Sequence, residues 1–316
     1  MKKLIFINSF VLIFFISLFI NKEAIMSSVK DGVLIWYNSL LPSLFPFLII
    51  THIMIKLGFI YPIKEILKPI FNFFKINSNI SFVLIMSILG GTVTNAKCIK
   101  ELYQKNILTK KESEKALTFT FFSNPLFILG TVGILFLKNK KVGIIIFITH
   151  VLTEILIYII FNKLIKTPNK KEDINIKESI KDFLNNEKKL SFSKVLIESI
   201  KEAFNTCILI LGTIIFIYII TSSFSFLLPT NPYLNATVKG ILEITQGLEN
   251  VASLNIDMLY KGTLSTMLIS FGGICIYIQI ISILEDTDLS TLPFFLARIL
   301  HASISGILFY IIYLTT

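Results

Sequence analysis

The chain has 316 residues, 54% of them apolar and only 16% charged, and a formal net charge of +10. Its mean hydropathy is +0.77. Soluble domains of this length carry about 25% charged residues, so the deficit excludes a cytosolic enzyme and a nucleic-acid binder as first readings. The positive charge does not form a face for an acidic partner, because the lysines crowd into hydrophilic gaps between long apolar runs. Three cysteines, Cys98, Cys207 and Cys275, stand far apart with no Cys-x-x-Cys pair. They read as small buried apolar residues and make neither a disulfide framework nor a metal site.

A bilayer core takes roughly 20 apolar residues per helix. Leu4 to Ile20 is the first run, behind Lys2 and Lys3. No small-x-small cleavage site follows it, so residues 1–24 read as a retained membrane anchor rather than a signal peptide. Leu40 to Ile60 is interrupted by Pro42 and Pro46, and Ile80 to Cys98 by Gly90 and Gly91. Pro125 to Leu137 is 13 residues long and must borrow from Ala116 to Asn124 to cross. Val142 to Ile165, Thr206 to Leu228, Leu259 to Leu284 and Pro293 to Leu314 complete the set. The expected architecture is therefore all-α, a polytopic helical membrane protein of about eight spans.

The gaps carry their own signals. Ile25, Val29, Val33 and Trp36 share a helical face ahead of the second span, as do Phe192, Val195, Leu196, Ile200, Ala203 and Phe204 ahead of the sixth. Both stretches are predicted to lie in the membrane interface. Thr109 and Glu112 have capping-box spacing and should start a helix. Residues 166–190 are polar, lysine-rich and aperiodic, the pattern of a solvated linker. Residues 163–201 hold ten lysines and 97–115 hold six, which places both segments in the cytoplasm under the positive-inside rule.

The linker separates two halves, 25–165 and 191–316, that match in organisation. Each has a long span, a short semi-apolar segment, a span broken by a glycine pair (Gly90-Gly91 and Gly272-Gly273) and a span headed by proline. Broken helices at corresponding positions of two repeats point to a transport site near the midplane, because freed backbone groups must line a cavity or pack against protein. Glycine pairs also serve close helix packing.

Six ordered stretches carry a family resemblance: Asn38-Ser-Leu-Leu-Pro-Ser-Leu-Phe-Pro-Phe47, Gly91-Thr-Val-Thr-Asn-Ala-Lys97 with Glu101-Leu-Tyr103, Phe122-Ser-Asn-Pro-Leu-Phe-Ile-Leu-Gly-Thr-Val-Gly133, Leu242-Glu-Ile-Thr-Gln-Gly247, Ser270-Phe-Gly-Gly273 with Gln279, and Ala297-Arg-Ile-Leu-His301. Together they resemble the YlbJ-type sporulation integral membrane proteins, which carry paired nucleoside-recognition (Gate) domains. Two positions depart from that pattern: Thr92-Val93 where the family has aromatic-Pro, and Tyr277 where it usually has His. The resemblance implies two Gate-type repeats, a role in endospore formation, and movement of dipicolinic acid across the outer forespore membrane. Gate domains also occur in nucleoside and ferrous-iron carriers, so the fold does not fix the substrate.

Ionisable residues inside spans are costly and are functional candidates by default. Arg298 is the sole arginine among 30 basic residues, and it lies one helical turn from His301. A guanidinium fits a carboxylate bidentately, so Arg298, His301 and Lys97 form the expected anion clamp. His150 and Glu154, four apart, read either as a proton site or as a structural pair, and His52 reads as a core residue. Asn95 belongs to the first broken-helix motif. Ser123 and Asn124 precede Pro125 and can satisfy freed backbone or touch substrate. Glu243, Thr245 and Gln246 fall where Gate-type folds place substrate contacts, and Gln279 follows the second glycine pair.

The chain contains no nucleotide-binding loop, nucleophile–base motif or phosphate-cradling glycine pattern. Hence no enzymatic activity, catalytic residue, cofactor or nucleic-acid partner is expected. The expected function is a carrier of a small planar anion, dipicolinate first. It would sit in the cell membrane or outer forespore membrane of a spore-forming bacterium, with the lipid bilayer as partner and a homo-oligomer admitted. A nucleoside carrier and a non-transporting spore-envelope scaffold are the alternatives.

Overall fold

The computed structural model describes residues 2–57, 66–67, 69–72, 76, 78–167 and 191–316. Most of the expected linker 166–190, and most of the semi-apolar segment 62–75, lie outside these residues. The described residues are mostly helical, with no strand among them. Helices α1 (Lys2–Ile20) and α2 (Lys22–Ile35) lead through a widened π-type turn, Trp36–Leu40, into α3 (Leu41–Lys56). Then come α4 (Ser78–Gln104), α5 (Lys110–Phe119), a second π-type stretch (Phe127–Phe136) and α6 (Lys140–Leu164). The second half holds α7 (Phe192–Ser223), α8 (Pro232–Leu242), α9 (Ile244–Ser253), α10 (Met258–Phe271), α11 (Gly273–Leu284) and α12 (Leu292–Thr315).

Among the described residues, five helical segments are long and apolar enough to cross a bilayer: 22–56, 140–164, 192–223, 258–284 and 292–315. They correspond to the second, fifth, sixth, seventh and eighth expected spans. The first falls on α1, within which Val11–Ile20 is a shorter apolar stretch, and the fourth on the short Phe127–Phe136. The third falls on α4, which is broken in its middle.

The two stretches expected in the interface are not separate helices. Residues 22–56 form one helix of 35 residues and 192–223 one of 32. At 1.5 Å per residue these reach about 50 Å, well beyond a hydrocarbon core of about 30 Å, so their ends leave the core while the backbone stays helical. At that end Lys56 bonds Glu198 at 2.9 Å and Glu202 at 3.0 Å, and His52 Nδ1 approaches Glu202 at 3.2 Å. The carboxylates are half exposed, so these links fix register more than they stabilise.

The surface differs from that of a soluble bundle. On α12 Arg298, His301 and Ser305, each no more than 1% exposed, are buried beside Phe294, Ala297 and Phe309, while Leu296, Ile307 and Ile311 are at least half exposed. Apolar side chains facing outward and polar ones kept inside the bundle suit lipid as solvent. Inside, one apolar cluster joins the π-type stretches, α3, α7 and the α9–α10 region. A second joins α4, α5, α6, α11 and the start of α12. The three cysteines are buried and free.

Thr109 caps α5 as its spacing predicts: its hydroxyl accepts from the Glu112 N–H, and its own N–H donates to Glu112 Oε2 at 2.9 Å. Nearby, Lys100 bonds Asp286 at 2.6 Å, and Lys110 and Tyr103 both bond Asp288. These bonds hold both aspartates below the ordinary carboxylate range and tie the 285–291 loop to the α4–α5 loop. Thr109→Ala should lower stability by about 1 kcal/mol, read as a lower midpoint of thermal unfolding in detergent. An unchanged midpoint would mean the cap is redundant.

Candidate substrate site

Four interruptions of helix meet in the interior. α4 breaks at Gly91 (φ 74°, ψ −172°), while Gly90 stays helical. The turn between α10 and α11 is made by Gly272 (φ 85°) and Gly273 (φ 83°). Residues 120–124 run without helix from α5 to Pro125. Glu243 is extended (φ −143°, ψ 121°) between α8 and α9. The segments beside these interruptions line a cavity of about 140 Å³: Gly90 to Val93 from α4, Ser123 and Asn124, Glu243 to Thr245, and Cys275 and Gln279 from α11. Leu44 and Leu48 of α3 and Thr206 and Thr213 of α7 complete the wall. The volume is close to the ~150 Å³ apolar cavity that accepts a benzene ring, so one six-membered ring fits.

Non-helical backbone at this depth must be bonded by protein, and side chains do so. Asn95 Nδ2 donates to the Thr120 carbonyl at 2.8 Å and its Oδ1 accepts from the Thr120 hydroxyl at 3.0 Å. The Ser87 hydroxyl donates to the same carbonyl and accepts from the Phe122 N–H. Ser123 N–H donates to His150 Nε2 at 3.3 Å, and Leu126 N–H to Asn124 Oδ1 at 2.8 Å. On the other side Glu243 Oε2 accepts from the Gln246 N–H at 2.7 Å, capping α9. Gln279 Nε2 donates to the Thr213 hydroxyl at 3.0 Å.

A second polar group lies between α6 and α12. The Arg298 guanidinium donates to Glu154 Oε1 at 2.8 Å and to the Thr118 carbonyl at 2.5 Å, and contacts His301 Nδ1 at 2.9 Å. The Phe121 ring lies 4.5 Å beneath it. His301 Nε2 is 3.3 Å from the His150 carbonyl, and the two imidazoles are 4.8 Å apart. Arg298, Glu154, His150 and His301 are all at most 2% exposed. A void that Arg298 borders holds about 10 Å³, which admits at most one water.

The structure therefore separates the expected site residues. Ser123, Asn124, Glu243, Thr245 and Gln279, with Gly90 and Gly91, line the cavity. Arg298 and His301 do not: the fork expected to take a ligand carboxylate already holds the Glu154 carboxylate. Lys97 is exposed and outside the cavity wall. Asn95 straps Thr120, and Gln246 bonds Thr221 behind the wall at 3.1 Å. Gly272 and Gly273 shape the turn without lining the cavity. Of the two departures from the family pattern, Thr92-Val93 lies in the wall. Tyr277 instead stacks on Phe294 and bonds Thr291. Sequence reading missed Ser87, Thr120, Thr206 and Thr213; position beside a proline- or glycine-broken helix marks Ser87 and Thr120, whereas Thr206 and Thr213 lie within the unbroken α7.

Glu243 is the one acidic or basic side chain among the described residues of the wall. Against it stand helix starts, whose first N–H groups lack intrahelical partners and carry partial positive charge. The part of α4 that follows Gly91 is one, and α11, whose N-cap Gly272 supplies no side-chain acceptor, is another. The cavity can thus hold a flat ring with polar substituents and attract negative charge to its helix starts.

Residues 38–140 match the family model described as Gate, nucleoside recognition. The chain is 26% identical over 327 residues, 93% of this chain and 79% of the relative, to the sporulation integral membrane protein YlbJ of Bacillus subtilis (strain 168). No solved structure matches it. The first three of the six motifs fall inside the matched Gate segment, and the resemblance drawn from them is borne out. The chain is an integral membrane protein that carries a Gate-type segment in its first half.

Proposed function

We propose that the chain is a sporulation membrane carrier for a small planar anion, with dipicolinate the favoured substrate and the outer forespore membrane its site. The observation that carries this reading is the 140 Å³ cavity at the meeting of helix breaks from both halves. Its size suits one aromatic ring, and its helix starts suit carboxylates, as in transporters built from discontinuous helices. The sporulation role rests on the similarity to YlbJ. Residues 191–316 are read as a second repeat because their glycine break and cavity contribution parallel those of the first. Carboxylate recognition is assigned to helix starts, Asn124, Thr245 and Gln279 rather than to Arg298. No chemical step is ascribed to the site.

A nucleoside carrier is the second reading, favoured by the uncharged hydrogen-bonding groups of the wall and the Gate match. Purified protein in liposomes decides between them. Labelled dipicolinate should enter, and Asn124→Leu, which fills the wall and removes an amide, should cut the rate at least tenfold. Uridine uptake without dipicolinate uptake would replace the first reading with the second. Uptake of neither would leave a spore-envelope scaffold.

A further inference from the structure

Glu243 stands where an anion carrier should not keep a negative charge. It is 3% exposed, it lies in the cavity wall, and none of the other described residues of that wall is basic. The Arg298 guanidinium is committed to Glu154 on the far side of the 120–124 segment. The titratable groups that face Glu243 from neighbouring elements are Tyr218 of α7 and Cys275 of α11, with Glu249 on its own helix. None of these supplies a positive charge. Two carboxylates confined together in a low-dielectric site disfavour joint ionisation, so an ionised Glu243 and a dicarboxylate exclude each other.

Resting on the anion-carrier reading, we propose that Glu243 is a proton-binding site coupled to the substrate: the carrier takes up one proton on Glu243 with each dicarboxylate. The proton comes from water on the loading side and leaves with the substrate on the other. Gln246 N–H holds Oε2 at 2.7 Å, and the Thr245 N–H and hydroxyl also bond the carboxylate; once protonated, the group becomes a donor, and it turns from Thr245 to the ligand carboxylate. One side chain thus serves as gatekeeper and contact. Empty and ionised, it caps α9; protonated, it admits the anion. A proton gradient can then drive accumulation.

The test is calorimetric titration of purified wild-type protein with dipicolinate, in buffers of different ionisation enthalpy. Between about pH 6 and 8 both ligand carboxylates are ionised, so the ligand itself does not titrate. One proton should be taken up per ligand, and affinity should fall about tenfold per pH unit. Glu243→Gln, which keeps an acceptor for the Gln246 N–H, should remove both the uptake and the slope. Wild-type binding with no proton uptake, or a slope that persists in Glu243→Gln, overturns the coupling and leaves the carrier reading standing. Failure of the wild type to bind dipicolinate at any pH overturns the carrier reading, and the coupling with it.

Discussion

Replacing Glu154 with leucine should destabilise the protein by about 3–5 kcal/mol, the cost of leaving one partner of a buried ion pair unpaired. Arg298 cannot turn to water: its side chain and that of Glu154 are each 1% exposed. Arg298→Leu should cost a similar amount, because it strands Glu154 and frees the Thr118 carbonyl, which the guanidinium now satisfies. The double replacement should recover most of the loss, since two apolar groups of similar volume leave no charge behind. Arg298→Lys should fall between, because a single ammonium cannot reproduce the planar fork that reaches Glu154 and Thr118 together. The midpoint of thermal unfolding in detergent reads all four variants. A double mutant as unstable as the sum of the singles would show that the pair does not act as a unit.

This pairing shows where sequence reading stops. Runs of apolar residues announced the five long spans, and the spacing of Thr109 and Glu112 announced a capping box that the structure contains. The positions of Gly91 and Gly272 announced interruptions, since glycine alone tolerates the backbone they adopt. Arg298 and Glu154 are each visible as charges inside spans, yet nothing local says that residues 144 apart meet. Each was assigned a different role for that reason. The continuity of α2 into α3 was equally hidden. Pro42 reads as a stop, but the π-type turn Trp36–Leu40 just ahead of it, where the Leu41 N–H reaches back to the Trp36 carbonyl, carries the helix past the missing N–H. An amphipathic stretch also carries no mark of where the helix beyond it begins. In the cavity wall the polar side chains near breaks were legible, whereas the hydroxyls of α7 that close it were lost in an apolar run.

Gly272→Ala and Gly91→Ala should part company, although both residues have positive φ. At Gly272 a Cβ would stand 2.4 Å from Phe121 Cζ. That ring is itself fixed beneath the Arg298 guanidinium and 5.6 Å from Phe294. The ring cannot give way without disturbing the buried ion pair, so the clash adds to the backbone strain. Gly272→Ala should therefore reduce the yield of folded protein several-fold. At Gly91 nothing lies within 4 Å of the added atom, and the penalty is the backbone alone, about 1–3 kcal/mol for a conformation nearly confined to glycine. The chain can relieve that strain by closing the break into regular helix. Doing so withdraws the free N–H groups of the following turn and reshapes the cavity wall they border. Gly91→Ala should thus insert and purify near normally, yet lose dipicolinate uptake at least tenfold. The measurements are monodispersity on size exclusion and initial uptake rate in liposomes. Folded Gly91→Ala with wild-type uptake would show that the break serves packing and not the substrate.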